Sequence, residues 1–226
     1  MPRESYQDKL DDLREDVLYM SEVVLERLRL GLDALEQKDE ALAQEVIEGD
    51  HEVNQMYLEL EQDCIDLLAL QQPVASDLRF IAASFKIITD LERIADLATN
   101  LGDYSLEAEE DVFPEVDIQT VADVTIEMVE AAMEGYANQD ADTCYQISET
   151  DDEVDALCEK ASEAVVRDLI EREVTDEATE AEVERLMGDV SRLLLTIRDL
   201  ERVGDHAVNI AARTLYMVEN DPDLIY

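Results

Sequence analysis

Tryptophan is absent from this chain of 226 residues, and aromatic side chains make up only 5% of it. Its core must therefore be built from Leu, Ile, Val, Ala and Met. Six glycines and four prolines leave little material for hairpins and tight turns, which argues against a β-rich fold and for an all-α helix bundle. The three cysteines, Cys64, Cys144 and Cys158, are an odd set without Cys-x-x-Cys spacing. That pattern excludes a disulfide framework and a zinc ribbon. Each cysteine reads as a small apolar core residue, and the set fits a reducing cytoplasm. No stretch approaches the roughly 18 consecutive apolar residues of a membrane-spanning helix. The first residues, with Arg3 and Glu4, lack the apolar run of a signal peptide. A cytoplasmic protein without membrane insertion is expected.

Bases are scarce as well. Fifty-nine acids face 17 bases, a net charge of −42, and arginine outnumbers lysine 13 to 4. Such a chain has little with which to grip a phosphate backbone, so nucleic-acid binding is excluded. Self-repulsion on this scale destabilises a compact state in dilute buffer, but at molar salt the Debye length falls to about 3 Å. The composition is that of a halophilic protein working in a salt-rich cytoplasm.

What the chain does have is helical periodicity. Leu10, Leu13, Val17, Met20, Val24, Leu28 and Leu35 recur near the 3.5-residue spacing of bundled helices over residues 6–37. A second helix is predicted over 39–71, with Leu42, Val46, Val53, Leu58, Ile65 and Leu68 facing inward and Pro73 ending it. A third starts near Val74, with Phe80, Ile87, Leu91, Ile94, Ala98 and Leu101 on its apolar face. The stretch 103–117, with seven acids, no base and one proline, divides the chain into units of 1–107 and 108–226. Three more helices are predicted beyond it, over 116–137, 140–171 and 181–219, with an acidic connection at 172–180. Short loops favour antiparallel neighbours within each three-helix unit.

A repeat supports the same division. Residues 90–100, Asp-Leu-Glu-Arg-Ile-Ala-Asp-Leu-Ala-Thr-Asn, align without gaps on 199–209, Asp-Leu-Glu-Arg-Val-Gly-Asp-His-Ala-Val-Asn, with seven of eleven positions identical. Upstream, Asp50-His-Glu-Val-Asn54 corresponds to Asp151-Asp-Glu-Val-Asp155. The halves are therefore expected to be pseudo-symmetric bundles.

On a helix, residues four apart lie about 40° apart around the axis, one turn apart along it. Glu92 and Asp96 thus project together, as do Glu201 and Asp205, and Asn100 and Asn209 continue each row. Two helices that each present such a pair place four oxygen donors around one point, which suits a metal ion. Spacing alone is weak, since acid pairs four apart should recur roughly fifteen times by chance at this composition. The weight rests on recurrence of Glu, Arg, Asp and Asn in one register. The pairs border the apolar stripe, so the site would lie at a surface groove between helices. Arg93 and Arg202 read as ordinary surface ion pairs. His51 and His206 read as exposed or supporting residues, because one Glu-x-x-His pair, Glu48 and His51, falls short of a ferritin-like di-iron set. No Gly-rich phosphate loop and no Ser-His-Asp or Cys-His set is in view, so no enzyme is expected. A carboxylate-bridged metal oxidase and a metal-free helical adaptor stay open as alternatives.

The chain resembles the PhoU family, regulators of phosphate-specific transport and the phosphate-starvation response. The resemblance rests on Gln72-Pro73-Val74-Ala75-Ser76-Asp77-Leu78-Arg79 and on the two Asp-Leu-Glu-Arg-x-x-Asp segments. It implies two pseudo-symmetric three-helix bundles, each able to hold iron or zinc on its surface; manganese or magnesium would accept the same donors. By position the implied ligands are Asp50, Asn54, Glu92 and Asp96, with Asn100 nearby, and Asp151, Asp155, Glu201 and Asp205, with Asn209 nearby. Asn54 stands where the pattern has an aspartate, so the first site is expected to be the weaker. The Pro-x-Ala-x-Asp-Leu-Arg element has no second copy. The resemblance further implies a homodimer that contacts a phosphate transporter's ATPase or a sensor kinase.

Overall fold

A computed structural model describes residues 3–70, 73–107, 116–171 and 179–225. Six helices make up the fold: α1 Arg3–Gln37, α2 Glu40–Leu70, α3 Ala75–Glu107, α4 Ile118–Asn138, α5 Ala141–Glu171 and α6 Glu180–Glu219. The expected helices are all present. The middle of the acidic divider, most of the 172–180 connection, and Gln71 and Gln72 lie outside the described residues.

Helix boundaries follow from local chemistry. Asp39 Oδ1 accepts the main-chain N–H groups of Ala41 and Leu42 at the start of α2. Asp117 does the same for Thr120 in α4, and Asp140 for Asp142 in α5. Thr179 and Glu182 close a reciprocal capping box on α6. Each aspartate opening α2 and α5 follows a residue in the left-handed region, Lys38 at φ 53° and Gln139 at φ 56°. The α1–α2 and α4–α5 corners are thus the same turn used twice.

Helices α1, α2 and α3 pack on one another, and α4, α5 and α6 do likewise; α3 lies against α6 and α1 against α4. Buried apolar side chains of all six run together in a single core. The three cysteines are buried in it as expected, and burial pushes the Cys64 and Cys158 thiols up to about 12 and Cys144 to about 11.

One set of inward positions needs correction. Leu58, Ile65 and Leu68 of α2 are 61%, 46% and 43% exposed. The buried row is instead Val46, Val53, Leu60 and Leu67, with Cys64 beside it. That row keeps a strict seven-residue step, the repeat that holds a seam against its neighbours in a bundle. The second half of α2 carries leucine and isoleucine on two faces, and apolar spacing alone does not choose between them.

The α3–α6 seam joins the halves. The helices run antiparallel, and the pseudo-twofold relation makes their polar contacts reciprocal. Asn100 Nδ2 donates to Asp199 Oδ2 at 3.1 Å, and Asn209 Nδ2 donates to Asp90 Oδ1 at 3.3 Å. Asp199 is buried, 1% exposed. It also accepts from the Tyr104 hydroxyl at 2.9 Å and from Arg198 Nη2 at 3.0 Å. Burial and that bond push the Tyr104 hydroxyl up to about 12. Asp90 accepts instead from His206 Nδ1 at 2.9 Å. Near one end of the seam, Tyr136 of α4 stacks on Phe80 with centroids 6.2 Å apart, and its hydroxyl bonds Ser84 Oγ at 2.7 Å.

Removing this carboxylate leaves the part-buried Asn100 and Tyr104 donors unmatched, while Arg198, 57% exposed, turns to water. Asp199→Ala should lower stability by about 1–3 kcal/mol. Asp90→Ala, at a half-buried position with fewer donors, should cost clearly less. Denaturant unfolding in molar salt would measure both, and equal losses would contradict this ordering.

Candidate metal centre

The motif acids meet their upstream partners within each half, at the contacts of α2 with α3 and α5 with α6. In the second half, Asp151, Asp155, Glu201 and Asp205 form one electrostatic group. Asp151 is pushed up to about 6, first by burial and then by the charges of Asp155, Asp205, Asp152 and Glu201. Glu201 is raised by burial, Asp155 and Asp205. Asp205 is raised by burial and Asp155, against a lowering pull from His206 and Arg202. Like charges that raise one another's proton affinity share one small region.

Gly204 lies beside this group: a Cβ added there would make an ordinary contact with Asp151 Oδ1 at 3.4 Å, which places the α5 carboxylate close to the α6 main chain. Ala95 holds the matching position in the first half.

The first half is built differently. Asn54 Nδ2 donates to Asp50 Oδ2 at 2.7 Å, so the amide occupies an oxygen that a cation would use. Thr99 Oγ1 reaches Asp50 Oδ1 at 3.5 Å. Arg93 lies across the motif acids, with Nε 3.4 Å from Glu92 and Nη1 3.0 Å from Asp96. Glu92 is raised first by burial and then by Asp96, with Asp50 adding to this and Arg93 and His206 opposing it. One cation is thus already spread over this face.

Asn100 and Asn209 turn away from both groups and bond Asp199 and Asp90 across the seam. Arg202 stands 3.8 Å from Asp199, and His51 is exposed, its ring nitrogen on the Glu48 carbonyl. Sequence reasoning assigns no separate role to Asp90, Asp199 or Tyr104, while His206, read as exposed or supporting, bonds Asp90. The signal was available for the aspartates, which recur as faithfully as the glutamates they precede.

The donor set fits a hard cation, since every group offered is a carboxylate or amide oxygen. Among the described residues, no three His, Cys, Asp or Glu side chains stand as a ready-made cage. Holding an ion therefore requires side-chain rotation. The second half, with four acids and no arginine bound among them, is better suited than the first.

Comparison with known proteins follows the same two-part plan. The PhoU domain family model matches residues 17–105 and 118–214. The chain is 31% identical to phosphate-specific transport system accessory protein PhoU homolog 1 of Methanothermobacter thermautotrophicus, over 96% of this chain and 95% of that protein. It is 30% identical to the PhoU accessory protein of Escherichia coli, over 93% and 84%. The crystal structure of PhoU from Pseudomonas aeruginosa superposes with a TM-score of 0.86 at 31% identity, covering 96% of this chain and 100% of that one. The Streptococcus pneumoniae phosphate transport system regulatory protein PhoU gives 0.83 at 25% identity, covering 96% and 98%.

The raised Asp151 predicts a pH signature. Its folded value of about 6 exceeds the unfolded 3.8, so its contribution is favourable below pH 4 and is lost as pH rises through 6. Asp151→Asn should therefore raise Tm above pH 6 in chelator, with the gain shrinking to nothing near pH 4. A pH-independent difference in thermal scans would contradict the cause assigned here.

Proposed function

The chain belongs to the PhoU family, and from that premise we propose that it is an accessory regulator of phosphate-specific transport and phosphate-starvation signalling. It works by protein contact in a salt-rich cytoplasm, as a homodimer, and carries metal on its motif faces. The carboxylate group of the second half is what supports the metal part of this reading. Four acids drawn together against their own repulsion need a reason, and cation binding supplies one.

Asp151, Asp155, Glu201 and Asp205 would hold the ion in the second half, and Asp50, Asn54, Glu92 and Asp96 in the first. A bound cation would neutralise the acids and fix their geometry on a surface that a partner reads. The remaining chemistry belongs to the chain. Arg93 screens the first group, and the seam holds the two faces in relation to one another. Iron or zinc is the proposed metal, with manganese or magnesium accepted by the same oxygens. The transporter's ATPase or a sensor kinase is the proposed partner, and no catalytic step is assigned. No helix among the described residues is long and apolar enough to cross a membrane, so contact with a transporter would be made from its surface.

Metal content of protein purified in molar salt without chelator tests the reading. The wild type should carry bound iron, zinc or manganese, and Glu201→Gln with Asp205→Asn should remove more of it than Glu92→Gln with Asp96→Asn. A metal-free wild type would sink the metal part, and equal losses would refute the ranking of the halves. Pull-down from phosphate-replete and phosphate-starved cells should recover a transporter ATPase or a sensor kinase in one condition. Recovery of neither in either condition would count against the regulatory reading.

A further inference from the structure

The Pro-x-Ala-x-Asp-Leu-Arg element takes no part in either carboxylate group. It supplies Asp77 and Arg79 to a separate cleft of about 270 Å³ where α1, the start of α3 and the end of α6 meet; Gln7, Arg14, Phe80 and Met217 also line it. In so acidic a chain a half-buried arginine should find a carboxylate, as Arg27 does with Glu52 at 2.8 Å and Arg192 with Asp189. Arg79 does not. Its Nε reaches the Met217 carbonyl at 3.5 Å, and among the described residues no carboxylate pairs with its terminal nitrogens.

Arg14 is similarly underused. Its guanidinium carbon lies 4.9 Å above the centre of the Phe80 ring, and its nearest acid, Asp11, stands 3.8 Å away. Its Nε is buried with no hydrogen-bond partner. A buried N–H left unmatched is costly and rare, and a missing acceptor is a standard explanation. Two guanidinium groups with spare donors thus share one cleft, with Asp77 as the acid of its lining and Asp11 beside Arg14.

We propose that this cleft binds a small oxyanion, held by Arg14 and Arg79. The planar forks of two guanidinium groups match the oxygens of a phosphate, sulfate or carboxylate group. The volume lies just below the range typical of drug-sized ligands, which suits a small anion. Molar salt screens long-range attraction but leaves short, part-buried hydrogen bonds. The second half has Gly188 at the position 109 residues beyond Arg79, so the arginine of this element has no counterpart there. The inference is independent of the metal reading, because none of these residues belongs to either carboxylate group.

Equilibrium dialysis of the full chain against radiolabelled inorganic phosphate tests it, in molar potassium chloride with chelator. One saturable phosphate per chain is expected. Arg79→Gln and Arg14→Gln should each weaken it about tenfold or more. Asp77→Asn, which leaves both arginines in place, should tighten it severalfold by removing an opposing charge. Circular dichroism checks that each variant is folded, and Arg79→Lys, which keeps the charge but loses the fork, should bind between wild type and Arg79→Gln. Competition by unlabelled sulfate but not acetate would assign a tetrahedral anion; equal competition by acetate would assign the wider oxyanion class. Absence of saturable binding of phosphate, sulfate and acetate would overturn the proposal, as would binding indifferent to both glutamine variants.

Discussion

The antiparallel seam between α3 and α6 is the constraint on which the other features depend. Both helices carry the repeated motif, and the pseudo-twofold relation brings the asparagine ending each copy onto the aspartate opening the other. An amide and a carboxylate are complementary where two carboxylates would not be, so the pairing costs no added repulsion in a chain of −42. The same pairing fixes the rotation of both helices. Once Asp90 and Asn100 face α6, Glu92 and Asp96 must face α2, and the second half repeats the relation toward α5. The carboxylate faces and the joint between halves are two sides of one decision about helix rotation.

Charge is managed by the same geometry. Most acids lie on outer faces where water or salt screens them. Among the described residues Asp199 is the one buried acid, and it is surrounded by Asn100, Tyr104 and Arg198. Acids are left crowded chiefly in the second carboxylate group, where burial and neighbours hold Asp151 at about 6. The contrast between Asp199, matched by three donors, and this mutually repelling group is what the metal proposal rests on.

Much of this was legible in the sequence, for identifiable reasons. Helix extents followed from apolar periodicity, from Pro73 and from the acidic stretches, and the repeat exposed the duplication. The rotation of individual helices was harder. On a helix with 100° per residue, Asn100 lies about 80° from Glu92 and about 80° from Asp90, so spacing could not say whether it served the carboxylates or the seam. The apolar residues late in α2 were ambiguous in the same way until a neighbour selected the Leu60 and Leu67 row. The cleft at Arg14 and Arg79 was invisible, because it joins residues from three helices and depends on what the arginines fail to meet.

The two copies differ at particular positions. The second half has Asp155 where the first has Asn54 and Gly204 where the first has Ala95, so its face carries one more negative charge. The first half kept an arginine over its acids and, on the same helix, carries the element that builds the cleft, where the second has Gly188. His206 has no counterpart, since Leu97 holds the matching place. Yet it ties the copies together, bonding Asp90 of the first half while easing the charge on Glu92 of the first and Asp205 of the second. His206 is thus an electrostatic link to one acid of each face. Duplication supplied two equal surfaces, and divergence left them unequal in charge and in the side chains that lie across them.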